Sequence, residues 1–409
     1  MLNQIAKIIR GLSVDAVEKA NSGHPGLPLG CAEIGAVLFG EMLKYDPKEP
    51  NWPDRDRFVL SAGHGSILLY VLLHLSGYDI SLGDIKNFRQ VGSVTPGHPE
   101  YGHTPGVEAT TGPLGQGLAN SVGMALAERI LAAKYNTEEY NIIDHYTYVL
   151  ASDGCMMEGI TSEAASLAGH WGLEKLIVIY DQNLISLADS TESTFTESVA
   201  DRYRAYNWQV IENVNGHDID ELKMAFMKAK EKNNKPVLMM IRTHIGYGAP
   251  TKQDSYKAHG APLGKEEVEG LKKNIGLPAD KSFYISDEVK AYFQEKKVRL
   301  TRSRKEWEEK FAQWTKKYPD KRKEWDRGIH LEIPDNLDFS DMNFDEKIAT
   351  RSVSGKILNK IAEKTFYIVG GSADLSPSTK TYLNNFPEVQ KDFYDARNIR
   401  FGVREHAMG

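Results

Sequence analysis

Four short runs rich in valine, isoleucine and tyrosine constrain this chain more than any other feature: residues 146–151, 175–180, 208–212 and 237–242. Loop-forming residues bound each run, and stretches of helical periodicity lie between them. Nearly continuous apolar runs separated by helices specify parallel strands covered on both faces, because each crossover between parallel strands lays a helix on the sheet. Residues 1 to about 261 are therefore expected to form an α/β domain, a doubly wound, mostly parallel sheet with helices on both faces. Ile5, Ile8, Ile9, Leu12, Ala16 and Val17 mark one face of an opening helix. Asn21-Ser22-Gly23 stops that helix and Pro25 opposes its continuation. A second helix is expected over about 31–44. In such sheets ligands bind beyond the carboxyl ends of the strands, so chemistry is sought directly after each run.

From about residue 287 to 327, Lys, Arg, Glu and Trp recur at helical spacing, the pattern of solvated amphipathic helices. Pro334-Asp335-Asn336 reads as a linker. A second α/β pattern starts near Asp345: a helix to Lys364, a strand over 365–369 before Gly370-Gly371, and a strand over 399–403. The expected organisation is a first α/β domain over 1–285, a charged helical connector and linker over 286–344, and the start of a second α/β domain over 345–409. That second domain reads as truncated, since a domain does not sensibly stop just after a strand. The 409 residues hold Lys+Arg 50 against Asp+Glu 56, a formal charge of -6, so no basic excess recruits nucleic acid. Cys31 and Cys155 match no metal or CxxC spacing and suit a reducing compartment. The first twenty residues carry several charges and no apolar signal core. The apolar run over 67–75 contains His74 and is too short to span a bilayer. A cytoplasmic protein without membrane or nucleic-acid partners is expected.

The segment after the first run is Ser152-Asp153-Gly154-Cys155-Met156-Met157-Glu158-Gly159. Asp153 stands at a strand end, placed to hold a divalent cation, and Gly154 lets backbone approach a ligand closely. After the next run comes Asp181-Gln182-Asn183-Leu184-Ile185-Ser186. The Asn183 carboxamide and a backbone carbonyl would complete an oxygen-only shell of the kind Mg²⁺ prefers and shares with phosphates. Taken singly, Asp153 reads equally as a helix N-cap and Asn183 as a turn residue. His24, His64, His98 and His259 each sit beside glycine or proline in a loop, a pattern that presents imidazoles rigidly to a polar ligand. His103 is assigned no role.

Together these segments resemble the thiamine diphosphate fingerprint, and in order along the chain they are similar to transketolases. The matching words are Ser22-Gly23-His24-Pro25-Gly26, Ser61-Ala62-Gly63-His64-Gly65, Pro96-Gly97-His98-Pro99-Glu100, Thr111-Gly112-Pro113-Leu114-Gly115-Gln116-Gly117, Ala258-His259-Gly260, Gly371-Ser372-Ala373-Asp374-Leu375 and Gly402-Val403-Arg404-Glu405-His406. Ser152 stands where the fingerprint usually begins with glycine, and Gln182-Asn183 where it often ends in two asparagines. The resemblance implies that Asp153, Asn183 and the Ile185 carbonyl hold Mg²⁺, with Ca²⁺ or Mn²⁺ as substitutes. It implies that Gly154, His64 and His259 donate to the diphosphate, and that Gly112, Pro113 and Leu114 lie beside the cofactor, with Leu114 against the thiazolium ring. Asp374 is expected close to the cofactor. The implied catalytic set is Glu405, His24, His98 and His259. Glu405 would hydrogen-bond the aminopyrimidine, a role that needs a carboxyl pushed up by burial among apolar neighbours. The three histidines would contact substrate oxygens. Arg351 and Ser378 would bind the sugar phosphate. Glu158 and Glu163, five apart on the helix after Asp153, would lie buried at a dimer interface, with solvated helix charges as the alternative.

The reaction so implied moves a two-carbon ketol unit from a ketose phosphate of the xylulose 5-phosphate type to an aldose phosphate of the ribose 5-phosphate type, in the pentose phosphate pathway. A homodimer with shared active sites is implied as well, together with a C-terminal region that is missing or on a separate chain. The 409-residue chain alone is expected to turn over little or nothing. The alternatives are a dihydroxyacetone synthase-like or deoxyxylulose-phosphate synthase-like enzyme, or an incomplete fragment serving as a cofactor-binding or dimerisation module.

Overall fold

The computed structural model describes residues 1–334, 337–344 and 347–409. The expected linker positions Asp335 and Asn336, and the expected start of the second pattern at Asp345, lie outside the described residues. The chain divides into two compact units. The first comprises Met1–Ala125, His145–Gly169 and Leu173–Lys305; the second comprises Leu126–Asp144, His170–Gly172 and Glu306–Gly409.

The first unit is built on five strands: β1 (Arg57–Leu60), β2 (Thr147–Ser152), β3 (Leu176–Gln182), β4 (Gln209–Asn215) and β5 (Val237–Arg242). Every pairing is parallel and the order is β1-β2-β3-β5-β4. The chain steps in one direction from β1 to β3, continues to the edge at β4, then reverses to place β5 inside. Right-handed crossovers therefore put the β4–β5 helix, Ile219–Ala229, on the face opposite the β2–β3 helix, Gly159–Trp171. On the first face Ile219–Ala229 packs on Ala32–Val37, which packs in turn on Leu2–Ala20. On the other, the Trp208 indole N–H donates to the Ala165 carbonyl at 2.8 Å. The sheet is thus doubly wound, as the alternation of runs requires.

Three local expectations need correction. The helix expected over 31–44 is divided: Gly26–Gly30 and Ala32–Val37 meet at Cys31, and the chain continues as a π-turn over Leu38–Met42. The break falls where Gly30 sits against the His244 carbonyl, a place with little room for a side chain. In the second unit, residues 365–369 form no strand. Their apolar character reads as β, but the Arg397 guanidinium takes the carbonyls of Ala362, Thr365 and Ile368, so these acceptors serve a side chain instead of a ladder. The strands there are shorter: β6 (Gly370–Ser372) pairs in parallel with β7 (Asn398–Arg400). Finally, the charged helices Asp287–Lys317 and Pro319–Ile329 are not merely solvated. Trp314 and Trp325 are buried with Tyr135, Ile142 and Ile143, and Trp307 and Phe311 pack against them. Among the described residues no helix is long and apolar enough to cross a membrane.

Gly169 marks the tightest approach in the first unit. A Cβ there would fall onto the Tyr206 carbonyl oxygen, which is backbone and cannot swing aside. Alanine normally strengthens a helix, yet Gly169→Ala is expected to cost about 3 kcal/mol through overpacking. Gly123→Ala, at an exposed helical position with open space around it, should gain about 0.5–1 kcal/mol. Urea denaturation of the two variants checks the opposite signs.

Candidate active site

The in-register pairing of β2 with β3 aligns Ser152 with Asp181, so the residues that follow each strand emerge side by side. Asp153 opens the short helix Asp153–Met157 and is only 2% exposed. Ser152 holds the cap position without a side-chain capping bond, and the Asp153 carboxylate makes its hydrogen bonds outside its own helix. It reaches the β3 loop. Oδ1 accepts from the Tyr180 hydroxyl at 2.7 Å, and Oδ2 accepts from the backbone N–H of Asn183 at 3.2 Å and of Leu184 at 3.0 Å. Asn183 is buried; its Oδ1 accepts from the Ile185 N–H at 3.0 Å and its Nδ2 donates to Asp181 at 2.9 Å. Asp153, Asn183 and Ile185 therefore form one hydrogen-bonded turn.

Burial pushes the Asp153 carboxyl up to about 6; Tyr180 and the two amides oppose this and the Asp181 charge adds to it. A carboxylate held out of water in this way is stabilised by a cation beside it. Among the described residues no three His, Cys, Asp or Glu side chains converge as a metal site. The donors at this turn are one carboxylate, one carboxamide and one carbonyl, hard oxygen ligands that fit Mg²⁺ better than Zn²⁺. Leu114, half-buried, lies over Gly154: a Cβ on that glycine would be 2.8 Å from Leu114 Cδ1. Pro113 is exposed, and Gly112 sits against the His98 ring.

Three of the four expected histidines come together. The ring centroids of His24 and His64 are 5.2 Å apart, those of His64 and His259 5.2 Å and nearly parallel, and those of His24 and His259 5.8 Å. Their loops are held by backbone. The Gly26 carbonyl accepts from the Gly246 N–H at 3.0 Å, and a Cβ on Gly26 would be 2.7 Å from the Ala258 carbonyl. Ala258 itself is anchored in a cluster with Val14, Leu29, Leu263 and Leu271. His98 is more exposed and acts on the cluster electrostatically. Arg89 donates to His24 Nδ1 at 3.2 Å and to Ser22 Oγ at 2.9 Å. Burial lowers His24 to about 4, with Arg89 and the neighbouring imidazoles adding to the effect. It lowers His64 to about 3, with His259 and His24 next in importance. His98 and His259 are also lowered, mainly by burial, and the buried Nδ1 of His259 has no hydrogen-bond partner among the described residues. His103, given no role, bonds the Ser93 carbonyl through Nε2.

In the second unit Asp374, in the left-handed region at φ 60°, lines a cavity of about 270 Å³ with Ser372, Arg400, Arg404 and His170. Glu405 opens the short helix Glu405–Met408 and is exposed, so the apolar burial expected around its carboxyl is not present in this chain. Arg351, near the start of the helix Thr350–Lys364, and Ser378, within Ser376–Thr379, are also exposed. Glu158 and Glu163 do not share a helix: Glu158 is exposed at the break between Asp153–Met157 and Gly159–Trp171, and Glu163 is half-buried within the latter. Sequence reasoning missed Tyr180 and Arg89. Tyr180 was indistinguishable from a buried strand residue, and nothing local ties Arg89 to His24, 65 positions away.

Residues 1–334 match the family described as transketolase, thiamine diphosphate binding domain, and residues 346–409 match transketolase, pyrimidine binding domain. A transketolase from Halalkalibacterium halodurans is 49% identical over 403 residues, 98% of this chain and 60% of the relative. The chloroplastic transketolase of Zea mays is 50% identical over 414 residues, 100% of this chain and 61% of the relative. Among solved structures, the transketolase from Leishmania mexicana superimposes with a TM-score of 0.97 at 45% identity, covering 100% of this chain and 61% of that one. A Pichia stipitis transketolase in complex with sedoheptulose 7-phosphate gives 0.96 at 44% identity, with 100% and 61% covered. The chain spans about 60% of the length of these relatives.

The imidazole cluster sets a direction for acid sensitivity. His24 and His64 titrate below their ordinary 6.5, so their neutral forms belong to the fold. The stability they contribute is fully present above pH 6.5 and is lost as pH falls through about 4 and then about 3. Melting temperature should decline over that window, and His24→Asn/His64→Asn should flatten the decline. NMR titration of the ring protons checks the assignment; a midpoint near 6.5 for His64 would show the cluster to be open to water.

Proposed function

The chain belongs to the transketolase family, and from that premise we propose that the protein transfers a two-carbon ketol unit between sugar phosphates with thiamine diphosphate and Mg²⁺. The donor is a ketose phosphate of the xylulose 5-phosphate type and the acceptor an aldose phosphate of the ribose 5-phosphate type, in the pentose phosphate pathway of the cytoplasm. The supporting observation is the buried Asp153 carboxylate tied to Asn183 and the Ile185 turn at neighbouring strand ends. The Pichia stipitis relative bound to sedoheptulose 7-phosphate supports the substrate class. The organisation proposed is a diphosphate-binding domain over 1–285, a connector over 286–344 and a pyrimidine-binding portion over 345–409.

Bound thiamine diphosphate would supply the nucleophilic carbon and electron sink that no side chain offers. Asp153, Asn183 Oδ1 and the Ile185 carbonyl would hold Mg²⁺ against the diphosphate. His64, His259 and the Gly154 N–H would donate to the phosphate oxygens. Gly112, Pro113 and Leu114 would line the ring, with Leu114 keeping water from it. His24 has its Nδ1 occupied by Arg89, which leaves Nε2 to carry the ring proton and donate to a substrate hydroxyl. His98 and the second nitrogen of His259 would serve other substrate oxygens. Arg351 and Ser378 would take the sugar phosphate, a guanidinium and a hydroxyl being suited to a dianion. Asp374 would lie beside the cofactor. Glu405 would hold a proton at the pyrimidine nitrogen once covered. We place that cover in a homodimer whose copies share their active sites, which also accounts for exposed Glu405, Arg351 and Ser378.

The test begins with binding. Thiamine diphosphate should quench the protein's fluorescence only when Mg²⁺ is present, and EDTA should reverse the change. Asp153→Ala should weaken metal-dependent binding by about 100-fold, the scale of losing a charged buried partner. With both cofactors and the region of its relatives that this chain does not span, the pair of five-carbon phosphates should yield a seven-carbon ketose phosphate and a triose phosphate, whereas the 409-residue chain alone should turn over little or nothing. Binding that ignores both Mg²⁺ and Asp153, or turnover of pyruvate or formaldehyde in place of the aldose phosphate, would overturn this reading.

A further inference from the structure

Directly behind the proposed metal ligands lies a fully buried carboxylate to which the reading above gives no task. Asp181 is the penultimate residue of β3 and is 0% exposed. It takes the Asn183 amide NH₂ at 2.9 Å and the Thr243 hydroxyl, and the Cys31 thiol also bonds to it. Cys31 follows the turn Gly26–Gly30 and Thr243 follows β5, so three separate pieces of backbone fix this carboxylate in place. All three partners donate here, and an ionised carboxylate, which only accepts, serves all of them.

We infer that Asp181 is a positioning residue that dictates which end of the Asn183 carboxamide is offered to the metal. An asparagine amide can rotate by half a turn and exchange its oxygen for its NH₂ at almost no cost in shape. Here both neighbours oppose the exchange. A rotated Asn183 would set its oxygen against a carboxylate oxygen of Asp181. It would also set its NH₂ against the Ile185 N–H, which now donates to Oδ1. The NH₂ is thereby held inward, and the remaining lone pair of Oδ1 is the group left for a hard cation. An NH₂ cannot ligate Mg²⁺, so the orientation decides whether the site works. A neutral hydrogen-bonding residue could satisfy Thr243 and Cys31 equally well, but at this end of the amide an acceptor-only group discriminates the two orientations where a group that both donates and accepts would not. A buried charge is otherwise expensive, which argues that the discrimination is its use.

This inference rests on the proposed Mg²⁺–thiamine diphosphate site, and the experiment separates the two. Mn²⁺ is titrated with thiamine diphosphate and free Mn²⁺ is read by electron paramagnetic resonance, a readout independent of turnover. Wild-type protein that takes up no Mn²⁺ would end the metal-site reading itself. Given wild-type uptake, Asp181→Asn should weaken Mn²⁺ binding about 10–100-fold, the usual effect of removing a partner that orients a ligand. The exchange Asp181→Asn/Asn183→Asp restores one NH₂-to-carboxylate bond and presents oxygen to the metal in either orientation, so it should recover affinity to within about tenfold of wild type. Circular dichroism verifies folding, and the exchange variant carries the decision where the single variant does not fold. Unchanged Mn²⁺ affinity in folded Asp181→Asn, with only a lower melting temperature, would show a structural role and overturn the inference. A folded exchange variant that stays as weak as Asp181→Asn would overturn it too.

Discussion

The Asp153 carboxylate, reaching from the tip of β2 to the loop after β3, is the contact on which the site depends. Two parallel strands in register deliver their following residues to one edge, but register alone leaves the two loops independent. The carboxylate removes that freedom by accepting from Asn183, Leu184 and Tyr180 together. One short side chain thus turns a property of the sheet into a defined set of oxygen atoms. The arrangement places negative charge where water is scarce, a cost that hydrogen bonds offset only partly. A cation beside the carboxylate would offset that cost.

The imidazoles are prepared in the opposite sense. Three rings within 6 Å of one another could not all be protonated without strong repulsion, and burial removes the water that would screen it. They stay neutral, so each retains a donor and an acceptor. Lysines at these positions would bind anions through charge alone and would compete with the metal for the same phosphate oxygens. Neutral rings would leave charge neutralisation to the proposed cation and aim directional N–H donors at phosphate and substrate oxygens. Arg89 adds a fixed charge at the edge of the cluster, where it both depresses His24 and settles its tautomer.

Much of this was legible in the sequence. Residues 237–242 read as a strand and are one, because an apolar run closed by an arginine has no competing use. β1 escaped notice because it is four residues long, opens on Arg57 and is preceded by Arg55 and Asp56. The pairing of Arg55 and Arg57 with Glu108, about fifty positions away, is a tertiary fact with no local trace. Residues 365–369 misled for a related reason: their carbonyls are claimed by Arg397, and propensity cannot see a guanidinium thirty residues off. At the site, glycines and histidines announced themselves by type and spacing. The residues that hold them did not, since Tyr180 resembles any core tyrosine and Asp181 any strand-end aspartate.

That asymmetry has a physical origin. A residue that touches a ligand must carry unusual chemistry in an unusual backbone setting, and both leave marks in sequence. A residue that orients it needs only to be the right donor or acceptor at about 3 Å, which many side chains could supply from many positions. The marks vanish although the requirement is strict. Asn183 illustrates the point: its identity as a potential ligand is plain from its place after β3, yet its usefulness depends on which of two isosteric atoms points outward. On the inference drawn above, the acceptor-only carboxylate behind it and the donating Ile185 N–H decide that question together. Reading such sites therefore turns on counting donors and acceptors around each buried amide, since shape alone cannot distinguish a working ligand from its rotated counterpart.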